Sequence, residues 1–411
     1  MSQKPRVCGI ICEFNPLHRG HVSLLKAARE NGADFLIAVM SGNFVQRGGP
    51  AMFSKWARAE MALACGIDLV LELPLPWAMA GAERFALGGV SLLDSLSCVD
   101  FLAFGSESGD SMALRRAAHA VLSPELAAET RRRLKAGCTF AQAREQAALS
   151  VCGEETAKLL RSPNDILAVE YCKAIETLGS PIVPFTIRRT GAVHDQHTAD
   201  PAAHASSSQI RALLAEGREF SHWMAPEAAE IARRELEAGL APVTDRSLEQ
   251  AVLARLRTMD PAEFAALPDV SEGLENRFFQ AVRTAASLEE LWFSVKTKRY
   301  PLARIRRLVY SAFLGIPGKM EGYPPYARIL GFRRGAEELL SLIRKNARIP
   351  IVSTAAEMKR LNGTAREILD LEAQASDLYA LGQPRVQPCG MDFTRKLLIA
   401  ETTDARFSGD I

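Results

Sequence analysis

Two histidines three residues apart around a glycine, His18-Arg19-Gly20-His21, are the residues of this chain whose types and spacing most directly imply chemistry. They follow an apolar run, Cys8-Gly9-Ile10-Ile11-Cys12, and a turn, Glu13-Phe14-Asn15-Pro16-Leu17. The run is apolar and partly β-branched, which suits a strand buried on both faces of a parallel sheet. Pro16 fixes its own φ and biases Asn15 away from helical conformation, so the strand stops there. From Gly20 onward, His21-Val22-Ser23-Leu24-Leu25-Lys26-Ala27-Ala28 alternates at helical spacing. The turn therefore delivers the chain into a helix start, where unpaired N–H groups and the positive end of the dipole favour phosphate. Gly20 leaves room for a ligand near the backbone, and His18 and His21 share one side of the first turn. Two imidazoles there can donate hydrogen bonds to a phosphate and to charge developing on it. Taken alone, the same residues also read as capping or solvated groups.

A second anion-binding pattern lies far along the chain. After Arg188-Arg189-Thr190 and a loop comes Ala205-Ser206-Ser207-Ser208-Gln209-Ile210-Arg211-Ala212-Leu213-Leu214. Serines ahead of an apolar 3.6-residue pattern are N-caps, and their hydroxyls and free N–H groups can also bind phosphate. Arg211, one turn in, reaches the same anion with a planar fork of donors. Singly this is an ordinary cap with a solvated arginine; paired with the histidine turn it forms the other side of a phosphate clamp.

The elements that must position these groups are legible as alternating strands and helices. Further apolar runs follow at Asp34–Met40, Asp68–Leu73 and Cys98–Phe104, with a fifth at Ile182–Ile187. Helical patterns at 21–31, 54–66 and 83–96 separate the first four, which predicts a Rossmann-like doubly wound parallel sheet of about five strands. A helical insertion is expected over about 111–180, with Ser162 capping a helix that has Pro163 at its first position. Ligands on such sheets bind beyond the carboxyl ends of the strands. The strand ends here are polar or turn-rich: Glu13–Pro16, Ser41–Arg47, Glu72–Pro74 and Gly105–Ser108. From about 221 onward the chain reads as helices and loops with short strands such as Ile349–Val352, and the expected domains are 1–240 and a mainly helical 241–411.

Composition narrows the function classes. The chain has 411 residues, 48% of them hydrophobic and 24% charged, which is ordinary for a globular protein of two or three domains. No apolar run reaches membrane-spanning length, the N-terminus moves straight into a strand without a signal-like segment, and a cytoplasmic location is the expectation. Eight cysteines without a CxxC pair read as buried thiols. Cys8 and Cys12 would sit about 13 Å apart on one strand face, too far to share an ion. His119, His194, His197, His204 and His222 form no ligand pattern, so no protein-held metal site is expected. With a formal net charge of +2, nucleic-acid binding would have to come from a local patch. Between Val295 and Tyr310 there are six basic residues, Lys296, Lys298, Arg299, Arg304, Arg306 and Arg307, with no acidic one and with Tyr300 and Tyr310 interleaved. Phosphate contact and base stacking would use that mixture. A solvated helix face is the plainer account, and Arg304, Arg306 and Arg307 cannot all point one way from one helix.

The pairing of the HxGH turn with a serine-capped second helix resembles the HIGH-containing nucleotidyltransferase superfamily. Longer strings narrow the match: Gly9–His21, Met40-Ser41-Gly42-Asn43-Phe44-Val45-Gln46-Arg47-Gly48, Phe104-Gly105-Ser106-Glu107, Ser162-Pro163-Asn164-Asp165-Ile166-Leu167 and Lys296-Thr297-Lys298-Arg299-Tyr300. Together they resemble the tRNA(Met) cytidine acetate ligase family over most of the chain. The resemblance implies ATP-dependent activation of acetate to acetyl-adenylate and acetylation of N4 of the wobble cytidine of elongator tRNA(Met). It implies an ATP site at Ile11, Cys12, Glu13, Phe14, Asn15, Pro16, Leu17, His18, Arg19, Gly20, His21, Val22, Ser23 and Leu24, with Gly105, Asn164, Arg188 and Arg189. His18, His21 and the Ser206 to Arg211 cap, with Ser206 and Ser208, match the superfamily's phosphate elements. The run Ser206-Ser207-Ser208-Gln209 departs from the more mixed small-residue string expected there.

On this reading His18 and His21 donate to phosphate oxygens in the transition state, and Arg211 with the capped helix holds the departing pyrophosphate. Mg²⁺ is expected to share that charge, held mainly by phosphates and water because no Asp/Glu cluster marks a protein cage. The basic segment would meet the tRNA. Two rival readings remain open at this point: an adenylyltransferase acting on a phosphorylated small metabolite, and a non-catalytic RNA-binding factor.

Overall fold

The protein is described from a computed structural model covering residues 4–189, 206–270, 273–297, 300–318 and 322–401. The chain begins with β1 (Val7–Cys12), α1 (Arg19–Glu30) and β2 (Phe35–Ser41), then a small hairpin of β3 (Phe44–Val45) and β4 (Gly49–Pro50). Next come α2 (Lys55–Ala64), β5 (Leu69–Leu73), α3 (Leu75–Ala78), α4 (Ala82–Ser95) and β6 (Phe101–Ser106). The helical insertion is α5 (Ser111–Leu122), α6 (Pro124–Lys135), α7 (Phe140–Cys152), α8 (Glu154–Leu159) and α9 (Pro163–Leu178), after which β7 (Val183–Arg188) returns to the sheet.

β1 lies inside the sheet with β2 and β6 parallel to it on either side. The chain runs outward through β2 and β5, then crosses to β6 and β7 on the far side. The switch point therefore falls at β1 and β6, and the crevice beyond their carboxyl ends is where such sheets take ligands. β1, β2, β5 and β6 each serve two cores in strict alternation. Val7, Ile11, Ile37, Val39, Leu69, Leu71, Leu102 and Phe104 enter the core shared with α4, α5 and α9. Cys8, Ile10, Cys12, Leu36, Ala38, Met40, Val70, Phe101 and Ala103 enter the core on the opposite face. Burial on both faces is why these strands read as unbroken apolar runs.

Beyond the sheet come α10 (Ser207–Ala215), α11 (Pro226–Glu237), α12 (Asp245–Thr258), α13 (Pro261–Ala265), α14 (Leu274–Thr284), α15 (Leu288–Val295) and α16 (Leu302–Leu314). α12 to α16 build a third core, which also takes Phe44 of the hairpin and Leu75 of α3. The chain then returns through β8 (Ala327–Arg333), α17 (Glu337–Asn346), β9 (Ile351–Val352), α18 (Ala355–Met358), α19 (Gly363–Ala380), α20 (Met391–Thr394) and β10 (Leu398–Ala400).

This return corrects the expected strand number. The sheet has eight strands in the order β10-β8-β5-β2-β1-β6-β7, with β9 beside β8, and β8 runs antiparallel to β5. The expected boundary near 240 falls between α11 and α12, where the chain leaves for the helical core, but three later strands rejoin the sheet. Ala-Arg-Ile-Leu-Gly-Phe-Arg hides a strand because Arg328 is buried for charge pairing and a Cβ at Gly331 would lie 2.7 Å from the Leu398 Cβ. Two smaller expectations are also corrected. Ser162 makes no side-chain cap at α9, although Pro163 occupies the first turn. Cys8, Cys12, Cys65, Cys98 and Cys172 are buried thiols, whereas Cys138 and Cys152 are half-buried and Cys389 is exposed. Among the described residues no helix is long and apolar enough to cross a membrane.

Candidate functional site

β1 ends at Cys12, and Phe14 turns the chain with φ of 45°, an uncommon conformation for a bulky side chain. The Phe14 ring is buried and meets the His21 ring edge-on at 5.1 Å. His18 is the N-cap of α1, and its Nδ1 accepts from the Gly20 N–H at 3.1 Å. In return the His18 N–H donates to His21 Nδ1 at 3.2 Å, closing a capping box made of two imidazoles. The rings stack with centroids 3.9 Å apart.

Because both Nδ1 atoms accept backbone N–H bonds, each neutral ring carries its proton on Nε2. Each imidazole is thereby fixed as an Nε2–H donor. Burial, with the neighbouring His18 and Arg189, pushes His21 well below its ordinary pKa. It therefore stays neutral as pH falls through the usual histidine range, and charging it breaks the capping box. Long-range ¹⁵N–¹H spectra are expected to show both rings as Nε2–H tautomers at pH 7, with His21 unprotonated at pH 6. A His21 titration at 6.5 or above would contradict this geometry.

Facing this helix start is that of α10. Ser206 caps it: its Oγ accepts from Gln209 N–H at 3.3 Å and its own N–H donates to Gln209 Oε1 at 2.7 Å. The Ser206 groups are thus spent on the cap. Helix geometry leaves the N–H groups of Ser207 and Ser208 without an intrahelical acceptor. Arg211 ties the two helix starts together, donating to the Asn15 carbonyl at 2.8 Å and to Ser208 Oγ at 2.9 Å. Burial lowers the pKa of its guanidinium, with Glu13 acting in the opposite direction and Arg47 and Arg306 adding to the lowering. An arginine stays charged through such a shift.

These groups line one cavity of 380 Å³, bounded by Glu13, Asn15, His18, His21, Asn164, Arg189, Ser206, Ser207, Ser208 and Arg211 on this side. Glu107, just past β6, does what Ser162 was expected to do. Its carboxylate accepts from Asn164 Nδ2 at 2.6 Å and from Asp165 N–H at 2.7 Å, which holds Asn164 at the rim. Gly105 keeps room for Arg189, whose Cγ lies 3.1 Å from where a Cβ would be.

The opposite wall is the hairpin, with Val45, Arg47, Gly48, Gly49 and Pro50, then Met52, Val243, Thr244, Asp245 and Arg306. Arg58, fully buried, supports the floor by donating to the carbonyls of Glu13, Ser41, Gly42 and Phe53. Asp245 accepts from Arg306 at 2.8 and 3.0 Å and from the Tyr310 hydroxyl at 2.7 Å.

The structure gathers some of the expected site residues and separates others. Glu13, Asn15, His18, His21, Asn164, Arg189, Ser206, Ser208 and Arg211 share the cavity. Ile11, Cys12, Phe14 and Leu17 are core residues, and Val22 and Leu24 pack against the core. Pro16, Arg19, Gly20, Ser23, Gly105 and Arg188 do not line the cavity; Arg188 is exposed and donates to the Ser108 carbonyl at 2.9 Å. Arg47, Thr244 and Asp245 were not singled out. Arg47 stood in a quoted string at a strand end, whereas nothing in the sequence near Asp245 marks it.

The basic segment divides as well. Arg306 belongs to the cavity wall and stacks on Trp292 at 4.3 Å, and Arg307 reaches the Gln46 carbonyl at 3.5 Å. Arg304 lies over the Tyr300 ring at 5.3 Å, and Lys296 is exposed over Phe293 at 5.6 Å. Lys298 and Arg299 lie outside the described residues. The expected stacking role of Tyr300 and Tyr310 is corrected, because both are buried in the helical core.

Comparison with known proteins gives a consistent picture. The family profile of the HIGH nucleotidyl transferases matches residues 5–392. The tRNA(Met) cytidine acetate ligase of Syntrophomonas wolfei is 39% identical over 410 residues, covering 94% of this chain and 98% of that protein. The protein of the same name from Thermoanaerobacter sp. is 38% identical over 402 residues, covering 95% and 99%. Among solved structures, apo Thermotoga maritima TmcAL superimposes with a TM-score of 0.91 at 36% identity, covering 97% of this chain and 100% of that one. The same protein bound with alpha-thio ATP gives a TM-score of 0.89 at 35% identity over the same shares.

Proposed function

The chain belongs to the tRNA(Met) cytidine acetate ligase family of HIGH nucleotidyl transferases, and on that premise we propose that it activates acetate with ATP and acetylates N4 of the wobble cytidine of elongator tRNA(Met). The observation that carries this reading is the single cavity in which the histidine capping box of α1 and the serine-capped start of α10 are bridged by Arg211. Two helix starts, two fixed imidazole donors and several arginines suit a triphosphate, and the solved relative bound with alpha-thio ATP supports a nucleotide here.

Acetate is a weak nucleophile and a poor acyl donor. Its carboxylate oxygen attacks the α-phosphorus of ATP, the bond to the bridging oxygen breaks, and pyrophosphate leaves with the electron pair. Catalysis of such a step is positioning and charge stabilisation. His18 and His21 present Nε2–H donors to the phosphoryl oxygens without first losing or gaining a proton. Ser207 and Ser208 offer N–H groups, and Arg211 offers charge, to the departing pyrophosphate. The cytidine amine then attacks the acetyl carbonyl of the mixed anhydride, displacing AMP, so no activated serine or cysteine is needed.

Among the described residues no group of three or more His, Cys, Asp or Glu side chains is arranged to hold a metal ion. A Mg²⁺ accompanying the nucleotide fits a site in which phosphates and water are its main ligands, and it would neutralise part of the triphosphate charge. Lys296, Lys298, Arg299 and Arg304 are the residues of the basic segment assigned here to tRNA contact. Arg306 belongs instead to the hairpin wall, and Arg307 reaches the hairpin's Gln46 carbonyl. Residues 1–240 form the catalytic domain in this reading, with α12 to α16 as the tRNA-facing unit and a location in the cytoplasm.

Incubating the protein with ATP, labelled acetate and elongator tRNA(Met) should place the label on N4-acetylcytidine after nucleoside analysis. Adenylyl transfer to a phosphorylated metabolite without acetate incorporation would support the rival adenylyltransferase and overturn this assignment.

A further inference from the structure

Every position of the β3–β4 hairpin but one is spent on anchoring. Phe44 and Val45 are buried, as are Gly49 and Pro50. The Gln46 N–H donates to Glu13 Oε1 at 2.8 Å, and the Gly48 carbonyl accepts from Arg306 Nε at 2.9 Å. Gly48 has φ of 77°, and a Cβ there would lie 2.4 Å from the backbone nitrogen of Arg307, so the tip is pressed against α16. The remaining side chain is Arg47. It is exposed, lines the cavity, and has no hydrogen-bond or ion-pair partner among the described residues. A guanidinium held on so fixed a backbone loses little further freedom when it binds an anion.

The opposite side of the cavity already supplies Arg189, Arg211, two imidazoles and two helix starts for a triphosphate. The wall around Arg47 is different, because Val45, Pro50, Met52 and Val243 give it an apolar surface and its other arginine, Arg306, is already paired with Asp245. Met52 and Val243 are buried and braced, with Met52 N–H donating to Asn15 Oδ1 at 2.9 Å and Val243 N–H donating to the Met52 carbonyl at 3.0 Å. An arginine free to pair, beside a small rigid apolar surface, matches a short-chain carboxylate.

We infer that Arg47 and the Val45–Pro50–Met52–Val243 wall form the subsite for the carboxylate co-substrate, the guanidinium pairing with the carboxylate and the wall bounding its alkyl group. This rests on the acetate-activating function proposed above. Two anions must meet for acetate to attack the α-phosphorus, and Arg47 neutralises the incoming one. In that step one carboxylate oxygen bonds to phosphorus, the bond to pyrophosphate breaks, and no proton moves. The wall sets chain length, since one methylene in an apolar pocket changes kcat/KM by about tenfold or more.

The test uses the full chain, measuring ATP binding by calorimetry without acetate and acetate-dependent ATP–pyrophosphate exchange. Arg47→Ala is expected to raise the acetate KM by about tenfold or more, from loss of a charge-assisted pair, with the ATP Kd within about twofold and Arg47→Lys restoring part of the loss. Met52→Ala is expected to raise the preference for propionate over acetate by about tenfold. An ATP Kd weakened as much as the acetate KM would make Arg47 a triphosphate ligand and overturn the subsite. Unchanged acetate KM in Arg47→Ala overturns it too, as does unchanged acid selectivity in Met52→Ala. Wild-type protein that binds ATP but shows no acetate-dependent exchange overturns the functional reading itself, and is thereby told apart from a fault in the subsite alone.

Discussion

Replacing His18 or His21 by alanine is expected to cut acetate-dependent ATP–pyrophosphate exchange by about 10²–10³-fold, the usual cost of removing one preorganised donor from developing charge. Each substitution also breaks the capping box, which costs about 1 kcal/mol of stability. The two effects are separable because the box uses Nδ1 whereas the proposed chemistry uses Nε2. His18→Asn keeps an N-cap acceptor but removes the ring donor. It is expected to melt close to wild type and still lose exchange on the same scale. Full exchange in His18→Asn would confine His18 to helix capping and remove it from the phosphate chemistry.

The largest expected stability effect comes from a buried ionic cluster outside the cavity lining. Lys55 at the start of α2 contacts Glu72 of β5 at 2.7 Å and Asp392 of α20 at 2.6 Å. Arg328 of β8 meets the same two carboxylates and stacks on Trp56 at 5.3 Å. All four side chains are buried. Burial favours neutral Lys55, but Asp392 and Glu72 more than offset it and leave its pKa raised. Burial likewise opposes ionised Asp392, and Lys55 with Arg328 overcomes it, holding that carboxyl well below its ordinary range.

A fifth member, Glu372 of α19, is pushed the other way by burial and by Glu72, which favours its protonated form. Lys55→Met leaves two buried carboxylates with one cation, and is expected to cost about 3–5 kcal/mol in urea unfolding. A loss below about 1 kcal/mol would mean that water reaches the cluster.

The pH signs differ within the cluster. The Asp392 contribution is present above its unfolded pKa of 3.8 and lost as pH falls through its lower folded value. The Lys55 contribution is present below 10.5 and lost as pH rises through its raised folded value. Glu372 acts against stability as pH rises above 4.5, where the unfolded chain releases a proton that the fold retains. Glu372→Gln can keep the bond from the Leu75 N–H and is expected to flatten the fall in stability as pH rises above 4.5.

How much was legible in the sequence depends on how far each signal reaches along the chain. β1, β2, β5 and β6 could be read because burial on both faces makes them almost wholly apolar, and the edge strand β7 because Val183 to Ile187 is still mostly apolar. The two helix starts could be read because caps and periodicity are local. The hairpin at 44–50, with only four paired residues, carries no periodicity. β8 was obscured by Arg328 and Gly331, whose reasons for being there are a carboxylate and a backbone more than 60 residues away.

By itself, then, the sequence determined the central sheet, the histidine turn and the serine-capped helix, because strand burial and helix capping act between neighbours a few residues apart. Only the tertiary structure decided that His18 and His21 cap one another as Nε2–H donors and that Arg211 joins two helix starts far apart in the chain. It also moved Arg306 from an RNA-facing run to the cavity wall and set Arg47 on a hairpin held by Glu13 and α16. Those outcomes depend on which buried charges and carbonyls meet across the fold, and pairings over such separations leave no periodic trace in the chain.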